Sequence, residues 1–453
     1  IIRSSYWHVF GSSEAISLRV MTMASDSTDA KGFLKRLFRG ESQDELVKRL
    51  EPKRHNPAPR VPAGAHSTPE IVDRRWKRLP LPQKSREILL SGGSAENCAL
   101  YDRNIENFIG MASLPVGLAG PVRVNGLFAQ GDYYLPLATT EAALVASCHR
   151  GATLISQAGG CSALLLAEGV SRSPGFVFQT ARDAGLFVAW VVEHLDDIRQ
   201  AAGATTRHGT LSELRVTVEG NHVYLLLEFQ TGDASGQNMA TIATEAACAL
   251  ILEQSPVKPE YFFVEANMSG DKKASAQSFL GVRGKKVTAE VVVPAELVEQ
   301  VLHTTPRRMT DYWRMSALGG VLSGTIGVQG HYANGLAALY IACGQDAACI
   351  AESAVGVTRF ELRDDGALYA AVTLPNLMVG TVGGGTGLPT QRACLELMGL
   401  YGDGKARALA EVCGALALAG ELSIIGALAA GEFTRAHKKL ARAPETTTRG
   451  DLP

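Results

Sequence analysis

Glu141 is the first residue whose type and position could support chemistry. It follows Thr139 and Thr140 and stands in a segment, residues 140–154, with helical periodicity and many Ala, Leu and Val residues. A carboxylate at the start of such a helix lies near the positive end of the helix dipole. Taken alone, the pattern is more typical of a carboxylate that caps the helix than of a catalytic acid.

A turn of charged residues occurs later in the chain, at Gly270-Asp271-Lys272-Lys273, between two apolar stretches. Two adjacent lysines beside an aspartate could stabilise an oxyanion or hold a carboxylate. Surface lysines are common, so by itself this segment is more simply an ordinary exposed turn.

Asp346 lies within residues 341–348, an otherwise apolar run that predicts a helix. An isolated buried aspartate is costly unless a cation pairs with it. One of the two lysines of the charged turn, Lys272 or Lys273, is the obvious partner. A catalytic pair and a purely structural ion pair fit this pattern equally well.

Two glycine-rich segments could hold an anion. Residues 380–387 read Gly-Thr-Val-Gly-Gly-Gly-Thr-Gly, which can turn several backbone N–H groups toward one ligand. Residues 232–238 read Gly-Asp-Ala-Ser-Gly-Gln-Asn and precede a helix-length segment, so a phosphate could meet the N-terminus of that helix. The first segment matches neither common nucleotide-binding fingerprint, and without context each segment is only a turn.

His437 stands in a basic segment, Arg435-Ala436-His437-Lys438-Lys439. Neighbouring cations favour its neutral imidazole, and a mobile tail could carry it over a site. An ordinary exposed histidine explains the pattern as well.

The pattern of expected helices and strands that position these residues predicts an α+β fold. From about residue 95, helical and strand-like patterns alternate without strict βαβ repetition, and residues 170–255 could be a small inserted domain. Residues 31–50 predict an amphipathic helix, and seven of the 19 prolines follow between residues 52 and 82. Residues 412–431 are apolar, but Glu421 at their centre favours a buried helix over an integral membrane segment.

Composition limits the protein to a large globular chain. The 453 residues suggest two or three structural units, and 46% hydrophobic with 20% charged residues excludes a disordered chain. The net charge of −1 argues against nucleic acid as the main partner, although residues 1–95 carry 17 basic and 10 acidic side chains. The eight cysteines form no C-x-x-C pair, which argues against a metal site and favours a reducing, cytoplasmic location.

Taken in order, these segments resemble the hydroxymethylglutaryl-coenzyme A (HMG-CoA) reductase family, and its NADPH-using members in particular. The likeness spans roughly residues 95–442. Each motif is modest, but seven in the same order are specific. The motifs are residues 106–110 (Glu-Asn-Phe-Ile-Gly), 114–121, 138–141 (Ala-Thr-Thr-Glu), 271–273 (Asp-Lys-Lys), 344–348 (Gly-Gln-Asp-Ala-Ala), 380–386 and His437.

The resemblance implies a large CoA-binding domain with a small ferredoxin-like, cofactor-binding domain inserted in it, preceded by a helical N-terminal part. It also implies a homodimer or a dimer of dimers with active sites at subunit interfaces, and residues 106–110 resemble the dimer contact of the family. The expected boundaries are residues 1–94 for the basic N-terminal region, 95–165 and 259–430 for the large domain, 166–258 for the inserted NADP-binding domain, and 431–453 for the tail with His437.

The implied reaction is the NADPH-dependent reduction of HMG-CoA to mevalonate and free CoA, a step of isoprenoid biosynthesis. It uses two NADPH for each CoA thioester and no metal. Lys272 matches the family lysine that stabilises the oxyanion, and Asp346 matches the aspartate that pairs with it. His437 matches the acid that protonates the leaving CoA thiolate. Glu141 matches the acid that donates a proton as the bound aldehyde is reduced.

Binding residues follow from the same likeness. Arg207 aligns near the basic contact to the NADPH 2′-phosphate, which favours NADPH over NADH. The family usually has methionine where this chain has Ser235 and Gln237. The implied cofactor residues are Arg207, Asp233, Ser235, Gly236, Gln237, Asn238, Gly383, Gly384 and Gly385. The implied substrate residues are Arg150, Lys273, Arg314 and Asn334.

Three positions depart from the family pattern in an ungapped alignment. Leu164 replaces a substrate-binding arginine and Glu265 replaces a substrate-binding serine. Met315 replaces a lysine that anchors the acyl carboxylate, although the adjacent Arg314 could compensate. The catalytic set stays intact, so the alternative is a same-fold reductase of another acyl-CoA. Two further hypotheses are a lyase with Lys272 as Schiff-base nucleophile and a CoA-binding protein without catalysis.

Overall fold

The computed structural model describes residues 42–55, 58, 60–79, 83–94, 96–102, 104–206 and 209–432. The chain divides into two compact units, residues 1–62 and residues 63–453. The described part of the first unit contains one helix, α1 (Gln43–Leu50). It begins with a capping box, in which the side chains of Ser42 and Glu45 each accept a hydrogen bond from the other's backbone N–H. This helix is the C-terminal part of the one predicted over residues 31–50, and residues 31–41 lie outside the described residues.

The second unit begins with two short helices, α2 (Pro69–Trp76) and α3 (Gln83–Leu89), beside a small hydrophobic core. Arg75 of α2 is fully buried, and its guanidinium donates to Oγ of Ser67 and to the carbonyl of Phe108. The buried members of this core are Val72, Trp76, Cys98, Tyr101 and Phe108. They come from both sides of residue 94, where a domain boundary is predicted, and that boundary stays a prediction.

In the described part of the second unit, ten strands form one sheet. The strands are β1 (Val116–Gly126), β2 (Gln130–Ala138), β3 (Cys161–Arg172), β4 (Gly175–Val177), β5 (Thr210–Glu219), β6 (His222–Gln230), β7 (Tyr261–Phe263), β8 (Gly284–Val293), β9 (Val357–Leu362) and β10 (Leu368–Leu377). Their order is β7-β4-β6-β3-β8-β10-β9, with β1 between β3 and β2, and β5 beside β6. Strand pairing is antiparallel except between β1 and β3.

Helices cover this sheet and connect its strands. They are α4 (Leu144–Gln157), α5 (Ala181–Glu193), α6 (Leu195–Gly203), α7 (Gln237–Gln254), α8 (Gln277–Leu280), α9 (Ala295–Leu302), α10 (Pro306–Ser323), α11 (Tyr332–Ala342), α12 (Ile350–Ser353), α13 (Pro389–Leu397) and α14 (Ala406–Ala430). The mixture of helices with a mainly antiparallel sheet is the α+β architecture that the sequence predicts.

The middle of the second unit has the ferredoxin-like arrangement that the resemblance predicts. Along the chain the elements are β4, the helices α5 and α6, β5, β6, α7 and β7, and the strand order is β7-β4-β6-β5. Strand β3 joins this part to the rest of the sheet, because its residues 162–169 pair with β8 and its last residues pair with β6. The exact limits of the inserted domain, residues 166–258, stay a prediction.

Helix α14 is the central core helix. Among the described residues it is the one helix long and apolar enough to cross a membrane, but most of it is buried inside the protein. Two fully buried carboxylates on it tie loops to the core. Glu411 accepts hydrogen bonds from the backbone N–H groups of residues 127, 128, 129 and 165. Glu421 accepts from the N–H groups of Gly330 and His331 and from the hydroxyl of Thr358. Because the carboxylate oxygens of both acids accept hydrogen bonds, the helix can stay buried although it contains two glutamates.

Candidate active site

The loop that carries Lys272 lies between β7 and α8, and it is a tight turn. Lys272 has a positive φ of 56°, and Gly270 before it has a φ of 75°. The backbone N–H of Asp271 donates to Oγ of Ser269, at 3.3 Å. Short polar residues and glycine support such left-handed backbone, which most residues avoid. The side chain of Lys272 is thereby presented from a constrained turn.

Lys272 and Asp346 form an ion pair, with 3.1 Å between Nζ and Oδ2. Partial burial raises the pKa of the Asp346 carboxyl, but the hydrogen bond and charge of Lys272 together with the N–H of Ala348 lower that pKa by more, so the net shift is downward. The same hydrogen bond raises the pKa of the Lys272 ammonium. The predicted pairing of Asp346 with a lysine of the charged turn is therefore present in the structure.

Asp346 itself does not lie within a helix, contrary to the helix expected over residues 341–348. Helix α11 ends at Ala342, and Asp346 begins a 3₁₀ turn (Ala347–Cys349) by accepting a hydrogen bond from the N–H of Ala348. Its side chain is 40% exposed, so the isolated buried aspartate inferred from the apolar run is wrong. Gly344, with a φ of 68°, ends the helix and lets the chain turn.

We call the cavity around this ion pair the lysine cleft. Its volume is about 780 Å³. Lys272 and Asp346 lie beside both glycine-rich segments here. The residues from those segments and from the neighbouring strand that line the cleft are Arg172, Ala234, Ser235, Gly236, Gln237, Asn238, Gly380, Val382, Gly383, Gly384, Gly385 and Thr386. The structure thus brings two of the predicted catalytic residues together with most of the predicted cofactor residues.

Close backbone contacts explain the glycines that shape this cleft. A Cβ on Gly344 would lie 2.3 Å from the carbonyl oxygen of Gly385, and a Cβ on Gly380 would lie 2.6 Å from the backbone nitrogen of Ser235. Both distances are shorter than van der Waals contact. The two glycine-rich segments and the turn before Asp346 can therefore pack on one another only without side chains.

Asp233, another predicted cofactor residue, has a different environment. Its carboxylate accepts hydrogen bonds from the N–H groups of Gly404 and Ala406, at 2.8 and 3.0 Å, at the start of α14. It is not among the described residues that line the lysine cleft. Arg207 and His437 lie outside the described residues, so their predicted roles stay predictions.

A second cavity, which we call the glutamate pocket, contains Glu141 and has a volume of about 460 Å³. Both carboxylate oxygens of Glu141 accept hydrogen bonds from Nδ2 of Asn334, at 2.9 and 3.1 Å. Helix α4 begins only at Leu144, after Ala143 with a left-handed φ of 72°. Glu141 therefore stands in a loop ahead of the helix, and its carboxylate is engaged by Asn334 and not by the helix N-terminus.

Arg150 also lines the glutamate pocket, from α4. Its guanidinium donates to Oγ and to the carbonyl oxygen of Ser423 on α14, at 3.0 and 2.7 Å. Burial lowers the pKa of this guanidinium. Apolar side chains form much of the remaining wall, namely Leu144, Tyr312, Trp313, Ile424, Ile425 and Leu428.

Within one chain, those residues proposed for catalysis that the structure describes are divided between two cavities. Glu141 lines the glutamate pocket, whereas Lys272 and Asp346 line the lysine cleft. Two predicted substrate residues line neither cavity among the described residues. Lys273 turns back, and its Nζ donates to the carbonyl of Asp271. Arg314 on α10 is exposed and pairs with Asp311 one turn away.

The whole catalytic region matches one protein family. The sequence profile of "Hydroxymethylglutaryl-coenzyme A reductase" matches residues 72–442. The chain belongs to the HMG-CoA reductase family. This membership covers both the lysine cleft and the glutamate pocket.

Curated relatives carry the same family name. The 3-hydroxy-3-methylglutaryl-coenzyme A reductase of Methanocaldococcus jannaschii is 43% identical over 347 residues, which are 75% of this chain and 85% of the relative. That of Haloferax volcanii is 42% identical over 384 residues, 83% of this chain and 94% of the relative. That of Pyrococcus horikoshii is 44% identical over 351 residues, 76% of this chain and 84% of the relative.

Solved structures share the fold. A class II 3-hydroxy-3-methylglutaryl-CoA reductase from Streptococcus pneumoniae, bound to NADPH in open conformations, matches with a TM-score of 0.61. It is 21% identical, and the match covers 80% of this chain and 97% of that chain. This likeness supports the HMG-CoA reductase fold and no finer property.

The structure also shows where the three departures from the HMG-CoA reductase pattern lie. Leu164 pairs with Thr288 within the sheet and is not among the described lining residues of either cavity. Glu265 accepts hydrogen bonds from the N–H groups of Ser173 and Asn267. Met315 is 75% exposed on α10. None of the three side chains lines the lysine cleft of its own chain.

Arg172, at the end of β3, is the residue of this cleft that sequence reasoning missed. Its side chain is 9% exposed, and its guanidinium lies 2.6 Å from the Asp271 carboxylate and also donates to the hydroxyl of Thr241. The signal that could have found it is an arginine at the end of an otherwise apolar strand, since a buried cation needs a partner. In an ungapped alignment with the family pattern, the substrate-binding arginine falls eight residues earlier, at Leu164.

Proposed function

We propose that this chain catalyses the NADPH-dependent reduction of HMG-CoA to mevalonate and free CoA. The observation that carries the proposal is the Lys272–Asp346 ion pair, which lies in a cleft walled by two glycine-rich segments. Reducing a thioester carbonyl to a primary alcohol takes four electrons, so two NADPH molecules, each supplying a hydride, are used for every CoA released. Residues of the chain then bind, orient and supply charge and protons.

Lys272 stabilises the negative charge that develops on the carbonyl oxygen of the thioester. Because the hydrogen bond to Asp346 raises its pKa, the ammonium stays protonated at neutral pH and can act as a fixed cation. The same property disfavours the lyase hypothesis, since a Schiff-base nucleophile must be a neutral amine. Arg172, in the same cleft, is the cation that we propose to take the place of the substrate-binding arginine missing at Leu164.

Glu141 donates the proton that converts the aldehyde oxygen to the alcohol. Asn334 fixes both of its carboxylate oxygens, so the acid is oriented before substrate binds. His437 protonates the departing CoA thiolate, as the family resemblance implies. The two acids thus serve different steps, one at oxygen and one at sulfur.

The lysine cleft fits a dinucleotide such as NADPH. Gly383 and Gly384 have positive φ values of 72° and 53°, and a Cβ on either would meet no atom within 4 Å. Their backbone therefore borders open space, and successive backbone N–H groups in such conformations bind phosphate. Ser235 and Asn238 add neutral hydrogen-bonding groups to the same cleft. The glutamate pocket, with its apolar wall and Arg150, suits the pantetheine arm and phosphates of CoA.

We further propose a homodimer whose active sites lie between subunits. The division of Glu141 and Lys272 between two cavities of one chain supports this arrangement. Mixing the inactive variants Glu141→Gln and Lys272→Ala then restores activity, because each mixed dimer has one complete site. About a quarter of wild-type activity is expected after random exchange of subunits. If fully exchanged subunits recover no activity, that result contradicts the shared site.

A reducing, cytoplasmic location fits the eight free cysteines.

The decisive experiment measures NADPH oxidation by the purified protein with HMG-CoA, beside NADH and with Lys272→Ala as the blank. We expect two NADPH oxidised for each CoA released, little turnover with NADH and none with Lys272→Ala. Binding of NADPH without turnover of HMG-CoA contradicts the proposed substrate.

The second candidate is a reductase of another acyl-CoA. It is favoured by Met315, which stands where the family has a lysine for the acyl carboxylate. If HMG-CoA is not reduced, acyl-CoA thioesters without a terminal carboxylate are the next substrates to assay. Their turnover, lost in Lys272→Ala, identifies this candidate.

A further inference from the structure

Arg283 is a buried arginine outside the residues assigned so far. It stands just before β8, and its side chain is 3% exposed. Burying a guanidinium is costly unless every face of it is used. The contacts of Arg283 therefore indicate what it holds in place.

One terminal nitrogen of Arg283 joins the lysine loop to the cofactor turn. Its Nη2 donates to Oδ1 of Asp271, the residue directly before Lys272, and to Oε1 of Gln237, the first residue of α7. The amide of Gln237 in turn donates to Sγ of Cys349, in the 3₁₀ turn that Asp346 caps. The family usually has methionine at position 237, which could accept no comparable hydrogen bond.

The other faces of Arg283 contact two further segments of the site. Its Nη1 donates to the carbonyl of Ser171 on β3, beside Arg172. Its Nε lies 3.4 Å from the carboxylate of Glu352, which is fully buried on α12. Glu352 and Arg283 thus form a second buried ion pair, beside the pair of Arg283 with Asp271.

We propose that Arg283 is a positioning residue that holds the Lys272 loop in register with the cofactor turn and with Asp346. It contacts Asp271, Gln237, Glu352 and Ser171, and so joins the lysine loop to the cofactor turn, to the end of β3 and to α12, which follows the turn capped by Asp346. Arg283 itself is not among the described lining residues of that cleft. Arg283 acts on Lys272 through Asp271. The expected effect of Arg283 on turnover rests on the proposed function, whereas its expected effect on the position of Lys272 does not.

Lysine cannot replace this arginine, although it keeps the positive charge. A guanidinium offers five N–H donors in a planar fork, whereas an ammonium has three donors at one point. In Arg283→Lys, one cation therefore cannot serve Asp271, Gln237 and Ser171 at once. We expect the loop to loosen and the distance between Lys272 and Asp346 to increase.

The test measures the reactivity of the Lys272 amine, which does not depend on any assumed reaction. The intact protein is treated with a limiting amine-directed acetylating ester between pH 7 and 10, and acetylation of Lys272 is quantified by peptide mass spectrometry. The groups facing Lys272 are Asp346, Asp271 and Cys349. In Arg283→Lys we expect acetylation at pH 8 to be about tenfold faster, because a Lys272 ammonium that has moved away from Asp346 has a lower pKa and is more often the neutral, reactive amine. Acetylation of the exposed Lys405 serves as the internal reference.

Arg215→Lys is the matched control. Arg215 also pairs with a carboxylate, Glu228, at 2.8 Å, but has no hydrogen bond to Asp271 in the structure. Its replacement leaves the acetylation of Lys272 unchanged. If Arg283 contributed only to stability, Arg283→Lys would lower the melting temperature but would leave Lys272 acetylation unchanged well below that temperature. Unchanged acetylation in folded Arg283→Lys overturns the proposal.

A second variant decides the question if Arg283→Lys does not fold. Gln237→Met removes one acceptor of Arg283 and restores the usual residue of the family, and we expect it to speed Lys272 acetylation two- to threefold. No increase in Gln237→Met then overturns the proposal. In the NADPH assay, Arg283→Lys lowers kcat more than it raises KM. A wild-type protein that does not reduce HMG-CoA refutes the proposed function and leaves the acetylation result valid.

Discussion

The ammonium nitrogen of Lys272 lies 3.1 Å from Oδ2 of Asp346, and both side chains line one cleft. Each is about 40% exposed, so the pair is open to a substrate and contributes little to stability. Its value is chemical, because a carboxylate beside an ammonium keeps that ammonium charged and directed.

Asp346→Asn removes the charge that holds Lys272 in place. The pKa of Lys272 falls toward its ordinary value, and the ammonium loses its fixed direction. We expect kcat for NADPH oxidation with HMG-CoA to fall about 10²–10³-fold, as for loss of a preorganised oxyanion group. Steady-state kinetics measure this, with the exposed Asp364→Asn, in the turn between β9 and β10, as the control. Equal kcat values for Asp346→Asn and wild type would show that the pair is only structural.

Glu141→Gln keeps the size of the side chain and can still bond to Asn334, but it cannot donate the acid proton. We expect kcat to fall about 10²–10⁴-fold, the range for loss of a general acid. The affinity for CoA, measured by calorimetry, changes little because the pocket wall is preserved. Glu245→Gln, at an exposed position on α7, is the matched control. Full activity in Glu141→Gln would exclude Glu141 as the proton donor.

Glu411→Gln tests the buried carboxylate of α14. Oε1 and Oε2 of Glu411 each accept hydrogen bonds from two backbone N–H groups. In the glutamine variant the amide NH₂ therefore meets N–H donors, whichever of the two positions it takes. We expect the free energy of unfolding to fall by about 2–4 kcal/mol. Urea denaturation measures this change. Glu296→Gln, exposed on α9, should shift it by less than about 0.5 kcal/mol.

His331 predicts a defined pH dependence of stability. Burial lowers its pKa below the ordinary value of 6.5. The unfolded chain therefore takes up a proton near pH 6.5 while the folded protein does not, and the contribution of His331 to stability is lost as the pH falls below about 6.5. His331→Asn reduces the difference between the free energies of unfolding at pH 7.5 and 5.5. The exposed His149→Asn is the control, and an equal effect of both variants contradicts this account.

Local sequence is enough to predict the α+β class, the buried helix with Glu421 at its centre, and an ion pair of Asp346 with Lys272 or Lys273. Only the family resemblance singles out Lys272. Periodicity acts over short distances and predicts the elements. The ion pair follows from an expected burial of Asp346 that is wrong, and it forms although this side chain is 40% exposed. The glycine-rich segments were recognisable because close backbone approach requires glycine wherever it occurs. The order of the motifs added the family and, with it, the expected roles of Glu141 and His437.

The tertiary structure decided what lies beside what. Only the folded chain assigns Glu141 to one cavity and Lys272 to another, directs Asp233 to the start of α14, and brings Arg172 and Arg283 to Asp271. Asp346 begins a 3₁₀ turn instead of lying in a helix, because the helix has ended and the chain turns at Gly344, which packs against Gly385. Contacts between distant segments depend on sheet order and on the packing of whole elements. A linear pattern of residue types carries no record of either, so these relationships exist only after the strands and helices have assembled.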